Sequence, residues 1–292
     1  MASANPFHPD PSTQAGLEQI ANSIRQDIIA ALVEAKSGHS AGPLGMADIF
    51  TALYFRVLRI DPNRPDWSER DRVVLSNAHI CPVLYATLAQ RGFCSREEFL
   101  TRLRKIGSPF QGHSNNHFGI GIETCGGPLG QGLSQAVGMA LAARMDQARW
   151  KTVCLMSDGE LDEGQSWEAF MLAGKERLHN LTAVIDRNNI QIDGYTEDIM
   201  PLEPLADKFR AFNWHVIEID GHNMEEILDA FSFADTIYEK PTVIIAHTIP
   251  GKGVSFMERK FEWHGKPPNP DEARLALKEL RTLGGKIQSE HE

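Results

Sequence analysis

The sequence predicts an α/β protein: a doubly wound parallel sheet with helices on both faces. Three observations point there. Short apolar runs alternate along the chain with segments of helical period. The runs 152–156 (TVCLM), 181–185 (LTAVI) and 241–246 (PTVIIA) are almost continuously apolar, as strands covered on both faces should be. Polar clusters follow these runs, where open parallel sheets hold their ligands.

In chain order, Leu17, Ile20, Ala21, Ile24, Ile28, Ala31, Leu32 and Ala35 recur at helical spacing and predict a long amphipathic helix that stops near Ser37-Gly38. A second helix is expected over 47–58, before Asp61-Pro62, and a third over 78–91, with Gly92 as its stop. Residues 132–147 are rich in Ala, Met and Gly and uncharged up to Arg144, which predicts a helix deep in the core. After the strand at 152–156 come a helix near 164–177, the strand 181–185, a strand at 215–219 (HVIEI), a helix near 224–237, the strand 241–246 and a short final helix around 271–283. These elements are read as one domain over 13–285, after a Pro-rich mobile arm over 1–12 and before a polar tail over 286–292.

Composition narrows the partners. With 42% hydrophobic and 23% charged residues the chain is ordinary for a soluble globular protein. A formal net charge of −10 leaves no electrostatic footprint for nucleic acid or an anionic membrane, so any phosphate site must be built locally. Cys81, Cys94, Cys125 and Cys154 form no CxxC pair and read as buried thiols in a reducing compartment. The first residues lack the basic and apolar regions of a signal peptide, and no apolar run approaches the roughly 20 residues that span a bilayer. A cytoplasmic location is expected.

The chemistry gathers at the strand ends. Ser157-Asp158-Gly159-Glu160 follows one strand and Asp186-Arg187-Asn188-Asn189-Ile190 follows the next. If those strands are neighbours, an acid and a side-chain amide lie close together. Such oxygen donors suit Mg²⁺ or Ca²⁺, and Mg²⁺ completes its octahedron with phosphate oxygens and water. Gly159 lets backbone approach a phosphate. Taken alone, Asp-Gly is a common turn dipeptide, and the turn is then the better reading.

The combination resembles the metal and diphosphate signature of thiamine-diphosphate enzymes, with Ser157 in place of its first Gly. Further segments are similar to transketolases: Ser37-Gly38-His39 with Gly42-Pro43-Leu44-Gly45, Leu75-Ser76-Asn77-Ala78-His79, Gly112-His113, Gly126-Gly127-Pro128-Leu129-Gly130-Gln131-Gly132, and Thr248 to Phe256 with Trp263-His264-Gly265. The likeness runs in order from about residue 20 to about 267.

The resemblance implies thiamine diphosphate and Mg²⁺ (Ca²⁺ or Mn²⁺ as substitutes) as cofactors. Asp158, Asn188 and the Ile190 carbonyl are the implied metal ligands. His79, Gly127, Leu129, Gly159 and Ile249 join those three as the implied cofactor-binding set. His39 and His264 are implied to face the substrate carbonyl and relay protons, and His113 to meet the donor's terminal hydroxyl region. The other histidines of the eleven fall outside the matching motifs and read as structural. Lys252 is open between a phosphate contact and an exposed turn. Glu163 is open between a helix-dipole acid and a member of an interface network.

Single-chain transketolases also carry a second domain, which binds the aminopyrimidine and supplies its activating glutamate. The sequence shows no room for that domain. The expectation is therefore the N-terminal subunit of a split enzyme. Its partner would be a C-terminal chain carrying the pyrimidine-binding domain, in an α2β2 assembly acting on sugar phosphates. Ser40, Ala41, Gly42 and Ser114 depart from the family pattern, which leaves a branched or modified ketose phosphate as an alternative donor. Deoxyxylulose-phosphate synthase, a 2-oxo acid dehydrogenase and a non-catalytic module with the cofactor fold are the other readings.

Overall fold

In a computed structural model, residues 9–282 are described. The tail expected over 286–292 and most of the arm expected over 1–12 lie outside the described residues. Five strands form an all-parallel sheet in the order β1-β2-β3-β7-β6: β1 Arg72–Leu75, β2 Thr152–Ser157, β3 Leu181–Arg187, β6 His215–Asp220 and β7 Thr242–His247. A small hairpin, β4 Ile190–Gln191 with β5 Gly194–Tyr195, follows β3. The helices are α1 Gln14–Ala35, α2 Ala41–Gly45, α3 Ala47–Ala52, α4 Cys81–Arg91, α5 Arg96–Arg102, α6 Gly132–Met145, α7 Gly164–Glu176, α8 Thr196–Ile199, α9 Leu205–Ala211, α10 Met224–Ala234 and α11 Pro270–Thr282.

Side chains alternate across the sheet with a period of two, which divides the core into two layers. Val153 and Leu155 of β2, Val184 of β3 and Ile244 of β7 pack under α1, α3, α4, α10 and α11. Cys154 and Met156, Ala183 and Ile185, Val243 and Ile245 face the other way, against α6, α7 and α9. A buried residue on both faces explains the continuous apolar runs. The mixed run HVIEI belongs to β6, an edge strand, and its Glu218 is exposed.

The helix ends follow local chemistry. Thr13 caps α1 by accepting from the Gly16 N–H at 3.1 Å, and Lys36 ends it in the left-handed region (φ 53°), one residue before the expected stop. Gly92 (φ 93°) ends α4 where expected. Four differences stand out. The short elements β1, α2, β4, β5, α5, α8 and α9 were not predicted, because two to seven residues show too little period. The helix expected over 47–58 changes after Ala52 into a turn of π-helix, Leu53–Val57. The segment 78–91 opens with a 3₁₀ turn, Ala78–Ile80. Lastly, α6 is only half buried: Gln135, Gly138, Ala142 and Met145 are exposed, since within the described residues its outer face has no layer above it. No helix among the described residues is long and apolar enough to cross a membrane. Cys81 and Cys154 are buried and Cys94 partly so, but Cys125 is exposed, contrary to expectation.

Candidate functional site

Parallel pairing carries the C-terminal ends of the strands to one edge of the sheet, and a cavity of about 380 Å³ opens there, within the range of small-molecule sites. Four histidines, His39, His79, His113 and His264, line it together with Asn77, Gly127, Leu129, Gly159, Glu160, Asp186, Asn188 and Ile190. Nine of the eleven residues expected at the site therefore share one cavity.

Each histidine is placed by a different element. His79 lies in the 3₁₀ turn just beyond β1. His39 fills the link between α1 and α2, and His264 follows the 3₁₀ turn Phe261–Trp263. The loop after α5 carries His113, whose carbonyl accepts from Tyr85 Oη at 3.1 Å. The rings of His39 and His79 are 4.9 Å apart, those of His39 and His264 5.4 Å, and those of His79 and His264 5.2 Å. Ser40 Oγ donates to the Lys266 carbonyl and so ties the His39 loop to the His264 loop. Gly126 has to be glycine, because a Cβ there would stand 2.0 Å from that of Ala78 and force the His79 turn away.

Electrostatics hold this cluster neutral. Burial, then the neighbouring His264, Arg104 and His113, lower the pKa of His39 to about 4. Burial likewise lowers His79, His113 and His264; the crowding of the other three histidines adds to the shift of His79, and the Arg104 charge to that of His113. Neutral imidazoles can accept or donate a proton, which fits them for general acid–base work.

Acids and amides also gather at this edge of the sheet. Ser157 pairs with Asp186 in the β2–β3 register, so the two strand ends are adjacent, as the motif required. Asp158 is fully buried and, unlike Asn188 and Ile190, does not line the cavity. Its carboxylate accepts from Arg187 Nη1 at 3.1 Å, Asn189 N at 2.7 Å and Gly159 N at 2.8 Å. Burial, outweighing Arg187 and those N–H groups, raises Asp158 to about 6. Asp186 is raised to about 7, again chiefly by burial. Asn188 donates Nδ2 to Asp186 at 2.8 Å, while its Oδ1 accepts from Ile190 N at 3.0 Å.

The donor set fits a divalent cation. A carboxylate has about four lone-pair sites, and three of those on Asp158 are engaged, which leaves one for a metal. The Asp186 bond fixes the Asn188 amide with its oxygen facing away. Among the described residues no group of three His, Cys, Asp or Glu is placed to hold a metal, and a carboxylate–amide–carbonyl set does not need one. The cavity also leaves polar atoms without partners: Asn77 Nδ2 and Oδ1 and His39 Nδ1 are buried and bond to nothing else in the protein. Polar atoms left in this state signal an absent ligand or water.

Several expected or open residues lie elsewhere. Ile249 is buried away from the cavity, and its N–H donates to His222 Nε2 at 2.8 Å. Lys252 is buried rather than in an exposed turn, and does not line the cavity. Glu163 is exposed at the start of α7. Of the family departures Gly42 and Ser157 reach the cavity wall, and Ser40, Ala41 and Ser114 do not. Asn77, Glu160 and Asp186 were given no role by sequence reasoning, although all three stand inside the matching motifs. Glu160 is buried and accepts from Ser76 Oγ, Gly130 N at 2.7 Å and Ser157 N at 3.3 Å, which binds three motif loops together.

A parallel sheet with four histidines, Asn188 and Ile190 gathered around one cavity at its C-terminal strand ends defines a class: α/β domains that take a small-molecule ligand at that edge. The family is now explicit. The description "Transketolase, thiamine diphosphate binding domain" matches residues 17–285, and the chain belongs to that family. It is 45% identical over 271 residues to the 6-deoxy-6-sulfo-D-fructose transketolase subunit of Clostridium sp. (strain MSTE9), covering 93% of this chain and 98% of that one. It is 42% identical to an apulose-4-phosphate transketolase subunit of Phocaeicola vulgatus, covering 91% and 94%. Human transketolase is 38% identical over 93% of this chain, but only 43% of that protein is covered. The solved transketolase of Campylobacter jejuni superposes with a TM-score of 0.85 at 35% identity, over 94% of this chain and 44% of that one.

Proposed function

We propose that this chain is the diphosphate- and metal-binding subunit of a two-chain transketolase, which moves a two-carbon ketol unit from a ketose phosphate to an aldose. The observation that carries the reading is one cavity lined by neutral histidines and by Asn188 and Ile190, with the buried Asp158 carboxylate hydrogen-bonded just behind them through Asn189 N and Gly159 N. Its near-complete coverage of relatives named as subunits supports a partner chain. That partner carries the pyrimidine-binding domain, in an α2β2 assembly. Residues 13–285 act as one cofactor domain in the cytoplasm, a location in keeping with the free thiols at Cys81 and Cys154.

Asp158, the Asn188 amide oxygen and the Ile190 carbonyl hold Mg²⁺, with Ca²⁺ or Mn²⁺ able to replace it. His79 and Asn77 bond the diphosphate, and Gly127, Leu129 and Gly159 shape its channel. Ile249 acts one step back, by packing behind the wall. Bound thiamine diphosphate supplies the electron sink for carbon–carbon cleavage beside a carbonyl. The protein's own part is proton movement and water exclusion. His39 and His264 take the proton from the donor's hydroxyl as its bond breaks and return one to the acceptor's oxygen. His113 bonds the donor's terminal hydroxyl region. Neutral side chains are needed for each of these steps, and burial keeps them so.

The donor is best read as a modified ketose phosphate or sulfonate. Two relatives of 45% and 42% identity are named for 6-deoxy-6-sulfo-D-fructose and apulose-4-phosphate, above the 38% of the human enzyme. Co-expression with the product of the adjacent gene, followed by a ketol-transfer screen of such donors, tests the reading. Activity is expected only in the mixture. Full turnover by the pure chain with thiamine diphosphate and Mg²⁺ would contradict it.

A further inference from the structure

Arg104 was given no role by sequence, yet it stands behind two of the cavity histidines. It follows α5 in the left-handed region (φ 59°), and its N–H donates to the Phe110 carbonyl at 2.7 Å, which closes the loop leading to His113. Its guanidinium reaches two loops. Nη1 donates to Ser37 Oγ at 3.0 Å, two residues before His39, and Nη2 makes a long bond of 3.4 Å to the Gly112 carbonyl, one residue before His113. The fit is close at Gly112, where a Cβ would lie 3.1 Å from Arg104 Cζ, and Gly38 stands in ordinary contact, its Cβ position 3.5 Å from Nε. Gly112 has little room for a side chain because the guanidinium lies against it, whereas Gly38 is set by its φ of 125° and by Leu32 Cδ2, 2.6 Å from where a Cβ would stand. Nε is buried without a partner, and among the described residues no carboxylate pairs with Arg104.

The other groups around it do not offset its charge. Cys81 and Tyr85 are both held neutral, the thiol pushed up to about 12 by burial and the phenol raised for the same reason. The remaining groups near His39 are His79, His264 and His113, none of them anionic. On the outer side of the loop, Lys105 pairs with Glu34 in solvent.

We propose that Arg104 is a positioning residue of the site: its guanidinium clamps the His39 loop to the His113 loop and sets an unpaired positive charge beside both rings. A cation there costs least when both imidazoles are neutral, so the clamp and the charge select the same state of the site. Lysine cannot reproduce the two-loop fork, and glutamine cannot reproduce the charge.

The inference rests on the reading of His39 and His113 as working groups, and its test separates the two. Histidine ring signals of the full chain are followed by NMR through a pH titration, with His39→Gln and His113→Asn as assignments, in wild type, Arg104→Gln and Arg104→Lys. This needs no turnover, so an inactive wild-type assembly would count against the proposed function alone. Arg104→Gln is expected to raise both midpoints by about 0.5 to 1 pH unit, the effect of one charge at short range in a partly screened site. Arg104→Lys is expected to leave the midpoints near wild type while kcat/KM of the assembled enzyme falls about tenfold, the cost of a loosened geometry. Unmoved midpoints in Arg104→Gln overturn the inference. Should that variant not fold, Arg104→Lys decides: wild-type kcat/KM in it overturns the clamp.

Discussion

Acidification should destabilise this chain through its histidine wall, and His39 offers the cleanest measure. In an unfolded chain His39 takes up a proton near 6.5, while in the folded protein burial and positive neighbours hold it back to about 4. The sign follows from proton uptake. Between those values the unfolded state binds more protons, so stability is full above 6.5 and is lost as pH falls towards 4. At 1.36 kcal/mol per pKa unit the loss from this residue is about 3 kcal/mol. His39→Gln removes the titrating group, so the variant escapes that loss. Urea unfolding at pH 7.5, 5.5 and 4 in both proteins reads the difference. At pH 7.5 the variant should be equal or slightly weaker, because Gln fills the site less well. By pH 4 it should have gained about 2 to 3 kcal/mol relative to wild type. A stability difference that does not change with pH would refute the argument that the cluster is kept neutral by its surroundings.

Other outcomes follow from particular contacts. Asp48 accepts from both Arg25 Nη atoms and from His222 Nδ1 inside the core, and Asp48→Ala, which strands a buried guanidinium, should cost about 3 to 5 kcal/mol in urea unfolding. The same change frees His222 and with it the Ile249 N–H, so cofactor affinity measured in the assembled enzyme should fall as well. Asn77→Ala removes two unpartnered buried polar atoms; the cofactor-free chain should melt no lower than wild type, while thiamine diphosphate binds about tenfold more weakly by calorimetry. In Gly126→Ala the new methyl meets Ala78, so the His79 turn must shift; the variant is expected to retain near-native circular dichroism with sharply reduced cofactor binding.

The sheet was legible because its inner strands are buried on both faces and their apolar runs are unbroken. β1 escaped notice because four residues cannot display a period, and α6 was read as deeper than it is because small uncharged residues look alike in a core and on an uncovered face. Cavity-lining residues were legible where chemistry and turn geometry share one short motif: His39, His79, His113 and His264 reach the cavity from four separate loops, each flagged locally. What sequence could not supply was orientation. Ile249 lies in a matching motif but is buried without lining the cavity, and Lys252 does not reach the cavity either. Asn77 and Asp186 were visible inside their motifs, but only burial shows one lacking partners and the other raised to about 7. Arg104 carried no local signal at all, since its role depends on two loops that meet only in three dimensions.

The central claim is that this chain supplies the metal and diphosphate half of the site. The most direct measurement is a calorimetric titration of thiamine diphosphate into the chain assembled with its partner, with Mg²⁺ present and with it chelated, in wild type and Asp158→Ala. Binding is expected in wild type with Mg²⁺, and little or none in wild type with chelator or in the variant under either condition. Equal affinity in all four titrations would contradict the claim.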